Sequence, residues 1–127
     1  MGRLLTILFI ITVSLNVACN RGDANRENEV NGKYLKVNGH KLWVETLGKG
    51  EPLFLISGGP GMSHGGMHSF DGLSDSCMLV FIDNFGRGKS DRATSPTEYS
   101  IKQEDLNIEG IRKAKEKKKI NLLGHSY

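Results

Sequence analysis

Three short apolar runs constrain the fold of this chain more than any other feature. They span residues 53–56, 78–82 and 120–123. Runs of this length without regular polar alternation are typical of strands buried on both faces of a mostly parallel sheet. Such a sheet requires helices packed against it, so the runs predict an α/β domain.

A β-hairpin is expected before the first of these runs. Two strand-like stretches, at 34–37 and 41–46, flank the dipeptide Asn38-Gly39. Asn-Gly between two such stretches is the strongest short-range signal for a two-residue hairpin turn. The hairpin therefore adds antiparallel strands to the predicted sheet.

A helix is expected between the second and third runs. Ser100 followed by Gln103 matches a capping box, which marks a helix N-terminus. Gly110 should weaken this helix, and the lysine-rich stretch 113–119 is expected to be its solvated C-terminal end. The apolar positions at helical spacing, which should face the core, are Ile101, Ile108, Ile111 and Ala114.

Two glycine-containing loops follow the first two runs. Residues 57–61 read Ser-Gly-Gly-Pro-Gly, and residues 83–91 read Asp-Asn-Phe-Gly-Arg-Gly-Lys-Ser-Asp. Both leave the carboxyl ends of predicted strands, where ligands bind in open α/β sheets. The first loop can bring backbone N–H groups close to a substrate and form an oxyanion hole. The second is expected to shape the floor of the site without taking part in chemistry.

The third run leads into Gly-His-Ser-Tyr at residues 124–127. This matches four positions of the G-x-S-x-G nucleophile elbow, a strained strand-to-helix turn that exposes a serine hydroxyl. Gly124 stands where the turn needs a residue without a side chain. Alone, Gly-x-Ser fits an ordinary strand and turn equally well, so the elbow hypothesis depends on the two upstream loops.

Taken together, the motifs at 57–61, 83–91 and 124–127 resemble those of the prolyl iminopeptidase-like α/β-hydrolases in order and spacing, over residues 34–127. The resemblance implies the N-terminal part of an α/β-hydrolase fold, truncated at the elbow. It also implies a serine hydrolase, and many members of the family remove N-terminal proline or another residue from peptides. The roles that it assigns are Ser126 as nucleophile, Gly59 and Tyr127 as oxyanion-hole donors, and Gly58, Pro60 and Gly61 in the oxyanion loop.

The chain departs from the family pattern in two respects. Ser57 stands where the family usually has histidine, which is expected to loosen the oxyanion loop. In α/β-hydrolases the triad acid and histidine follow the serine, so both are expected beyond residue 127. We therefore expect an N-terminal piece of a longer enzyme, inactive alone, with a small peptide, ester or amide as substrate and no cofactor or metal. The histidines not expected to act as general base are His40, His64, His68 and His125.

Other functions remain open on sequence grounds. An esterase or another small-molecule α/β-hydrolase fits the same motifs, and so does a non-catalytic exported binding domain. Epoxide hydrolases and dehalogenases carry aspartate at the elbow, which Ser126 argues against. Gly88-Lys89-Ser90 resembles the end of a P-loop, but Asp83 occupies the place of its first glycine. The net charge of +3 is too small to indicate nucleic-acid binding.

The N-terminus is expected to direct export. Residues 1–19 combine a basic start with an apolar stretch too short to span a membrane comfortably. Cys19 resembles the lipidated cysteine of a bacterial lipobox, although Asn16 stands where an apolar residue is usual. Residues 20–33 should form a flexible polar linker, and 34–127 the domain. The expected location is a lipid-anchored periplasmic or surface protein, or alternatively a secreted one.

Overall fold

Five strands form one mixed sheet in the order β1-β2-β4-β3-β5. The computed structural model describes residues 30–59 and 61–126. Residues 1–29, including the expected targeting segment and Cys19, lie outside this part. The strands are β1 Asn31–Val37, β2 His40–Leu47, β3 Pro52–Ile56, β4 Met78–Ile82 and β5 Asn121–Gly124; α1 is Ile101–Ala114, and the 3₁₀ segments are His64–Asp75 and Pro96–Glu98.

The predicted hairpin is confirmed. Strands β1 and β2 pair antiparallel, with Val37 opposite His40. Asn38 and Gly39 both have positive φ, at 50° and 87°. Positive φ at both central positions is the geometry that makes Asn-Gly favourable in a tight hairpin turn.

Strand β1 begins at Asn31, so the expected linker boundary at residue 33 is wrong. Asn31 to Lys33 pair with β2 through their backbones, which does not require apolar side chains. Gly32 also lies against the Trp43 ring, where a Cβ would overlap the indole. The first residues of this strand were not predicted because they are polar. Residues 20–29 of the expected linker lie outside the described part.

The three apolar runs form the parallel part of the sheet, as predicted. Strand β3 pairs in parallel with β4 on one side and with β5 on the other. Four of the five residues of β4 are buried. Strand β5 lies at the edge, and Leu122 is 58% exposed there. The mixed sheet with its helices is the α/β architecture expected from the sequence.

Alternating residues of β3 and β4 build a core on each face of the sheet, because successive side chains point to opposite sides. One core includes Phe54 and Val80 and packs against Ile111 of α1. The other includes Leu55 and Leu79 and packs against Met67 of the 3₁₀ segment His64–Asp75. The helix and this 3₁₀ segment therefore cover opposite faces.

Helix α1 begins as predicted, but its core-facing stripe is shorter than expected. The Ser100 hydroxyl accepts a hydrogen bond from the Gln103 N–H at 3.1 Å. Ile101 is 68% exposed and Ala114 is also exposed, so the predicted stripe is wrong at both ends. The buried face is short because the helix meets the sheet mainly around Ile111.

Gly110 lies where α1 approaches β1. A Cβ at this position would overlap the Val37 side chain, so a glycine allows the close contact. Gly110, which was expected to weaken the helix, thus allows α1 to pack closely on Val37 of β1. Within the described residues, none of the helices combines the length and apolarity needed to cross a bilayer.

Candidate active site

The predicted elbow follows the end of β5 at the carboxyl edge of the sheet. The His125 N–H donates to the Ile56 carbonyl of β3 at 3.1 Å. Ser126 is exposed and has φ 55°, in the left-handed region. Such a conformation costs a non-glycine residue about 1–3 kcal/mol and is found at functional turns. Tyr127, the predicted second oxyanion donor, lies outside the described residues.

The glycine-rich loop after β3 lies directly against the elbow. A Cβ on Gly58 would be 2.7 Å from the His125 carbonyl oxygen and 3.0 Å from the Ser126 Cβ. The contact therefore requires glycine at this position. Gly61 has φ 97°, which also favours glycine, and Pro60 lies outside the described part. Two motifs separated by more than sixty residues in sequence thus meet at one point.

Ser57 closes the same loop. It is buried, and its hydroxyl donates to the Met62 carbonyl at 3.2 Å. The serine thus makes a hydrogen bond across the loop, and the loosening expected from the missing histidine stays a prediction. This bond holds the two ends of the loop together beside the elbow.

Arg87 braces the loop from the opposite side. It is 4% exposed, and its Nη1 donates to the carbonyls of Ser57 and Gly58 at 3.3 and 3.5 Å. Its guanidinium also packs on Gly59, where a Cβ would overlap it. The 83–91 loop therefore contacts the glycine-rich loop directly through Arg87, and the expectation that it takes no part in chemistry stays a prediction.

Glu104 of α1 holds Arg87 in place. The Arg87 Nη2 donates to Glu104 Oε1 at 2.5 Å, and Asn84 donates to the other carboxylate oxygen at 3.3 Å. Burial raises the pKa of Glu104, while the positive charge of Arg87 acts in the opposite direction. Sequence patterns missed this pair, although the Ser100 cap already placed Glu104 in the first turn of the helix.

Asp83 anchors the second loop from within the core. Its carboxylate is fully buried and accepts hydrogen bonds from the backbone N–H groups of His64 at 2.7 Å and Lys89 at 2.8 Å. Gly88 packs on this carboxylate, where a Cβ would overlap it. The P-loop alternative does not fit, because the Lys89 N–H is already bonded and no helix begins there.

Three of the four histidines in the described part are engaged away from the elbow, and the fourth, His125, adjoins Ser126 and lines the pocket there. His40 packs on Phe85 with ring centroids 4.0 Å apart, and His64 and His68 contact carboxylates. Among the residues that the structure describes, none of the histidines hydrogen-bonds the Ser126 hydroxyl.

A pocket of about 250 Å³ opens beside the elbow. It has a mixed lining of polar and apolar groups, which suits a small substrate with a polar end. The lining residues include Ser57, Met62, Met67, Phe70 and His125.

Sequence comparisons place this arrangement among known hydrolases. A profile described as alpha/beta hydrolase fold matches residues 51–127. A proline iminopeptidase of Heyndrickxia coagulans is 30% identical over 97 residues, covering 74% of this chain and 34% of the relative. A proline iminopeptidase of Saccharolobus solfataricus is 37% identical over 90 residues, covering 69% and 29%. The chain thus spans about a third of the length of these curated relatives.

Solved structures show the same fold. A proline iminopeptidase-related protein from Thermus thermophilus superposes with a TM-score of 0.71 at 23% identity, over 76% of this chain and 36% of that protein. An epoxide hydrolase from Vigna radiata superposes with a TM-score of 0.70 at 23% identity, over 77% and 31%. At this level of identity the likeness concerns the fold, while the profile match covers more than half of the chain. This chain belongs to the alpha/beta hydrolase fold family.

Proposed function

We propose that this chain carries the nucleophile and the oxyanion loop of a serine hydrolase of the proline iminopeptidase type. The observation that supports it most is the contact between Gly58 and Ser126, which brings a glycine-rich loop onto a serine in the left-handed conformation. The two similar proteins named proline iminopeptidases support the substrate class.

In this proposal the Ser126 hydroxyl attacks the carbonyl carbon of the substrate's own N-terminal residue. The Ser126 oxygen forms a bond to that carbon, the hydroxyl proton passes to a general base, and the carbonyl electrons move onto oxygen. As this intermediate collapses, the protonated base gives its proton to the leaving amine of the remaining peptide, and water then hydrolyses the acyl-enzyme. The acid and histidine of the triad are expected after Ser126 in the chain, as in other α/β-hydrolases.

The brace by Arg87 gives the oxyanion loop a defined orientation. A trans peptide unit directs its C=O and N–H groups to opposite sides. Because Arg87 binds the Gly58 carbonyl, the Gly59 N–H of the same peptide unit points away from Arg87. We propose that this N–H, with that of Tyr127, stabilises the oxyanion. One such donor is worth roughly 10²–10³ in kcat.

The test is the full-length protein acting on a proline aryl amide. Ser126→Ala should remove nearly all turnover, because a catalytic triad works as a unit. The matched control is Ser76→Ala, an exposed serine that precedes β4 and thus lies at the other end of the sheet. A phosphonofluoridate reagent should label the parent and the control but not Ser126→Ala. Unchanged turnover and labelling in Ser126→Ala would overturn the nucleophile assignment.

An esterase or another small-molecule hydrolase is the main alternative. The epoxide hydrolase structures share the fold, but the elbow position here holds Ser126. Aryl esters without an amino group distinguish the two classes. An esterase hydrolyses them faster than proline amides, whereas the proposed aminopeptidase prefers substrates with a free amino end. A non-catalytic binding domain would be indicated by absent turnover and absent phosphonofluoridate labelling of the parent protein.

We also propose export with a lipid anchor at Cys19, on the pattern of residues 1–19 alone. Cys19→Ala should abolish labelling by a palmitate analogue and release the protein from membranes. The control is Cys77→Ala, the other cysteine of the chain, which should leave labelling and fractionation unchanged. Labelling that persists in Cys19→Ala would exclude this anchor.

A further inference from the structure

Three metal-ligating side chains converge on the face of the sheet opposite α1. Glu45 lies on β2, and His64 and His68 lie four residues apart on the 3₁₀ segment His64–Asp75. One potential ligand atom from each lies within 4.8 Å of those from the others. This cluster is made by different residues from those that contact Ser126 and the oxyanion loop.

Both imidazole rings are oriented by a carboxylate. His64 Nδ1 lies 2.8 Å from Asp83 Oδ1, and His68 Nδ1 lies 2.9 Å from Asp71 Oδ1. A carboxylate on one ring nitrogen fixes the proton there and leaves the other nitrogen as a ligand, as metal-binding histidines require. In both rings the remaining Nε2 faces Glu45, at 2.9 Å for His64 and 3.5 Å for His68.

Glu45 has an orienting partner as well. The Trp43 indole N–H donates to Glu45 Oε1 at 2.5 Å. The Lys89 ammonium lies 3.3 Å from the same oxygen, but its side chain is 54% exposed and can move into solvent. The second carboxylate oxygen faces His68. All three candidate ligands are thus held by a second hydrogen-bonding group.

The distances suit a small cation with tetrahedral coordination. Zinc bonds of about 2.0–2.1 Å place neighbouring ligand atoms about 3.3 Å apart. The Nε2 to carboxylate separations of 2.9 and 3.5 Å lie on either side of this value. The largest separation, at most 4.8 Å, must contract through a small shift of the His68 ring, whose side chain is 30% exposed.

The chemistry of the ligands indicates which cation fits. Two imidazole nitrogens with one carboxylate oxygen favour Zn²⁺ over Mg²⁺ or Ca²⁺, which prefer oxygen ligands. Three carboxylates surround the two rings, so the surroundings favour a positive charge. The exposed side of His68 leaves room for a fourth ligand such as water.

We propose that Glu45, His64 and His68 bind one divalent transition-metal ion of the zinc class. The ion would join β2 to the 3₁₀ segment that directly follows the oxyanion loop, and it would stabilise the fold by mass action. The proposal does not rest on the hydrolase activity, because neither Ser126 nor the loop supplies a ligand.

The experiment uses the full-length protein stripped of metal with a chelator. Titration with Zn²⁺ by calorimetry should show one ion per chain, and Co²⁺ should give the intense visible absorption of a tetrahedral site. His68→Ala should weaken Zn²⁺ binding roughly 100-fold or more, since it removes a ligand, and Asp71→Asn should weaken it about 10–100-fold through the ring orientation. His40→Ala, a half-buried histidine of the hairpin, is the matched control and should bind as the parent does.

Weakened or unchanged Zn²⁺ binding in the His68 and Asp71 variants can each be interpreted, because both side chains are partly exposed and the variants are expected to fold. Circular dichroism and the unfolding transition check this directly. Failure of the parent protein to bind Zn²⁺ would overturn the proposal and leave a hydrogen-bonded polar cluster. Undiminished binding in His68→Ala and Asp71→Asn would also overturn it, because the ion would then lie elsewhere.

Discussion

The oxyanion loop and the nucleophile elbow meet at one point but are held in different ways. The loop is fixed by buried groups, with Ser57 bonding across it and the Arg87–Glu104 pair below it. The elbow extends from an edge strand, and the backbone bond from His125 to β3 ties it to the sheet. The glycine-rich loop is thus held by buried groups of this chain, whereas the position of Ser126 depends on the pairing of β5.

Preorganisation of this kind is costly when a buried partner is removed. A charge left without its partner inside a protein destabilises it far more than the loss of an exposed contact. Variants on the loop side should therefore affect both stability and turnover. Variants on the elbow side should affect turnover with little change in stability.

The largest effect is expected for Asp83→Ala. It leaves the His64 and Lys89 N–H groups without their acceptor in a fully buried site, and each such donor costs about 1–3 kcal/mol, so the free energy of unfolding should fall by about 2–6 kcal/mol. Denaturation in urea measures this, with the exposed Asp105→Ala as control. A loss below about 1 kcal/mol would mean that Asp83 does not anchor the loop of residues 83–91.

The second-largest effect is expected for Arg87→Ala, and it is measured as the change in kcat of the full-length protein. The Gly58 carbonyl loses its donor, the Gly59 N–H loses its fixed direction, and kcat should fall roughly 10²–10³-fold. Arg87→Lys should not restore it, because one ammonium cannot reproduce the planar fork that binds both carbonyls and Glu104. Full activity in either variant would show that the brace is dispensable.

Ser100→Ala should have a moderate effect, through the helix that carries Glu104. Its hydroxyl caps α1, and loss of such a cap lowers the free energy of unfolding by about 1 kcal/mol. Replacement by threonine should retain most of the stability. Equal unfolding temperatures for the alanine and threonine variants would contradict a capping role for the Ser100 hydroxyl.

The smallest effect on stability is expected on the elbow side, for Leu122→Lys. In the 127-residue chain this side chain is 58% exposed on β5, so the free energy of unfolding of that chain should change by less than about 0.5 kcal/mol. A charge on an exposed edge should also reduce aggregation, measured by light scattering.

The comparison variant is Leu55→Ala on the neighbouring strand β3. Leu55 is fully buried, so its loss should lower the free energy of unfolding by about 2–5 kcal/mol. Equal decreases in the free energy of unfolding for Leu122→Lys and Leu55→Ala would contradict the difference between the exposed strand β5 and the buried strand β3.

Local patterns predicted most of the fold. The Asn38-Gly39 turn, the cap at Ser100 and the three apolar runs depend on neighbouring residues, and all were recognisable in the sequence. The start of β1 was not, because its first residues are polar and pair through the backbone alone. Asn107 was also missed, since a fully buried polar residue breaks the apolar stripe of α1 and bonds Gln103 and Asn38 instead.

The candidate site was only partly predictable. The glycine loop and the elbow carry recognisable motifs, whose proposed roles await the experiments above. The Arg87–Glu104 pair joins a loop to a helix, and no spacing rule connects them. The same holds for Glu45 and the two histidines, which come from separate elements and meet only when the sheet forms.

Trp43 gives the molecule an optical property of its own. It is the one tryptophan of the chain, and its indole bonds Glu45, faces the Lys89 ammonium at 4.2 Å and meets Tyr34 edge-on at 4.8 Å. Its fluorescence emission therefore comes from a single known position beside a carboxylate and an ammonium. Any event that moves either charge changes the emission, so the 127-residue chain reports on this corner of the sheet without an added label.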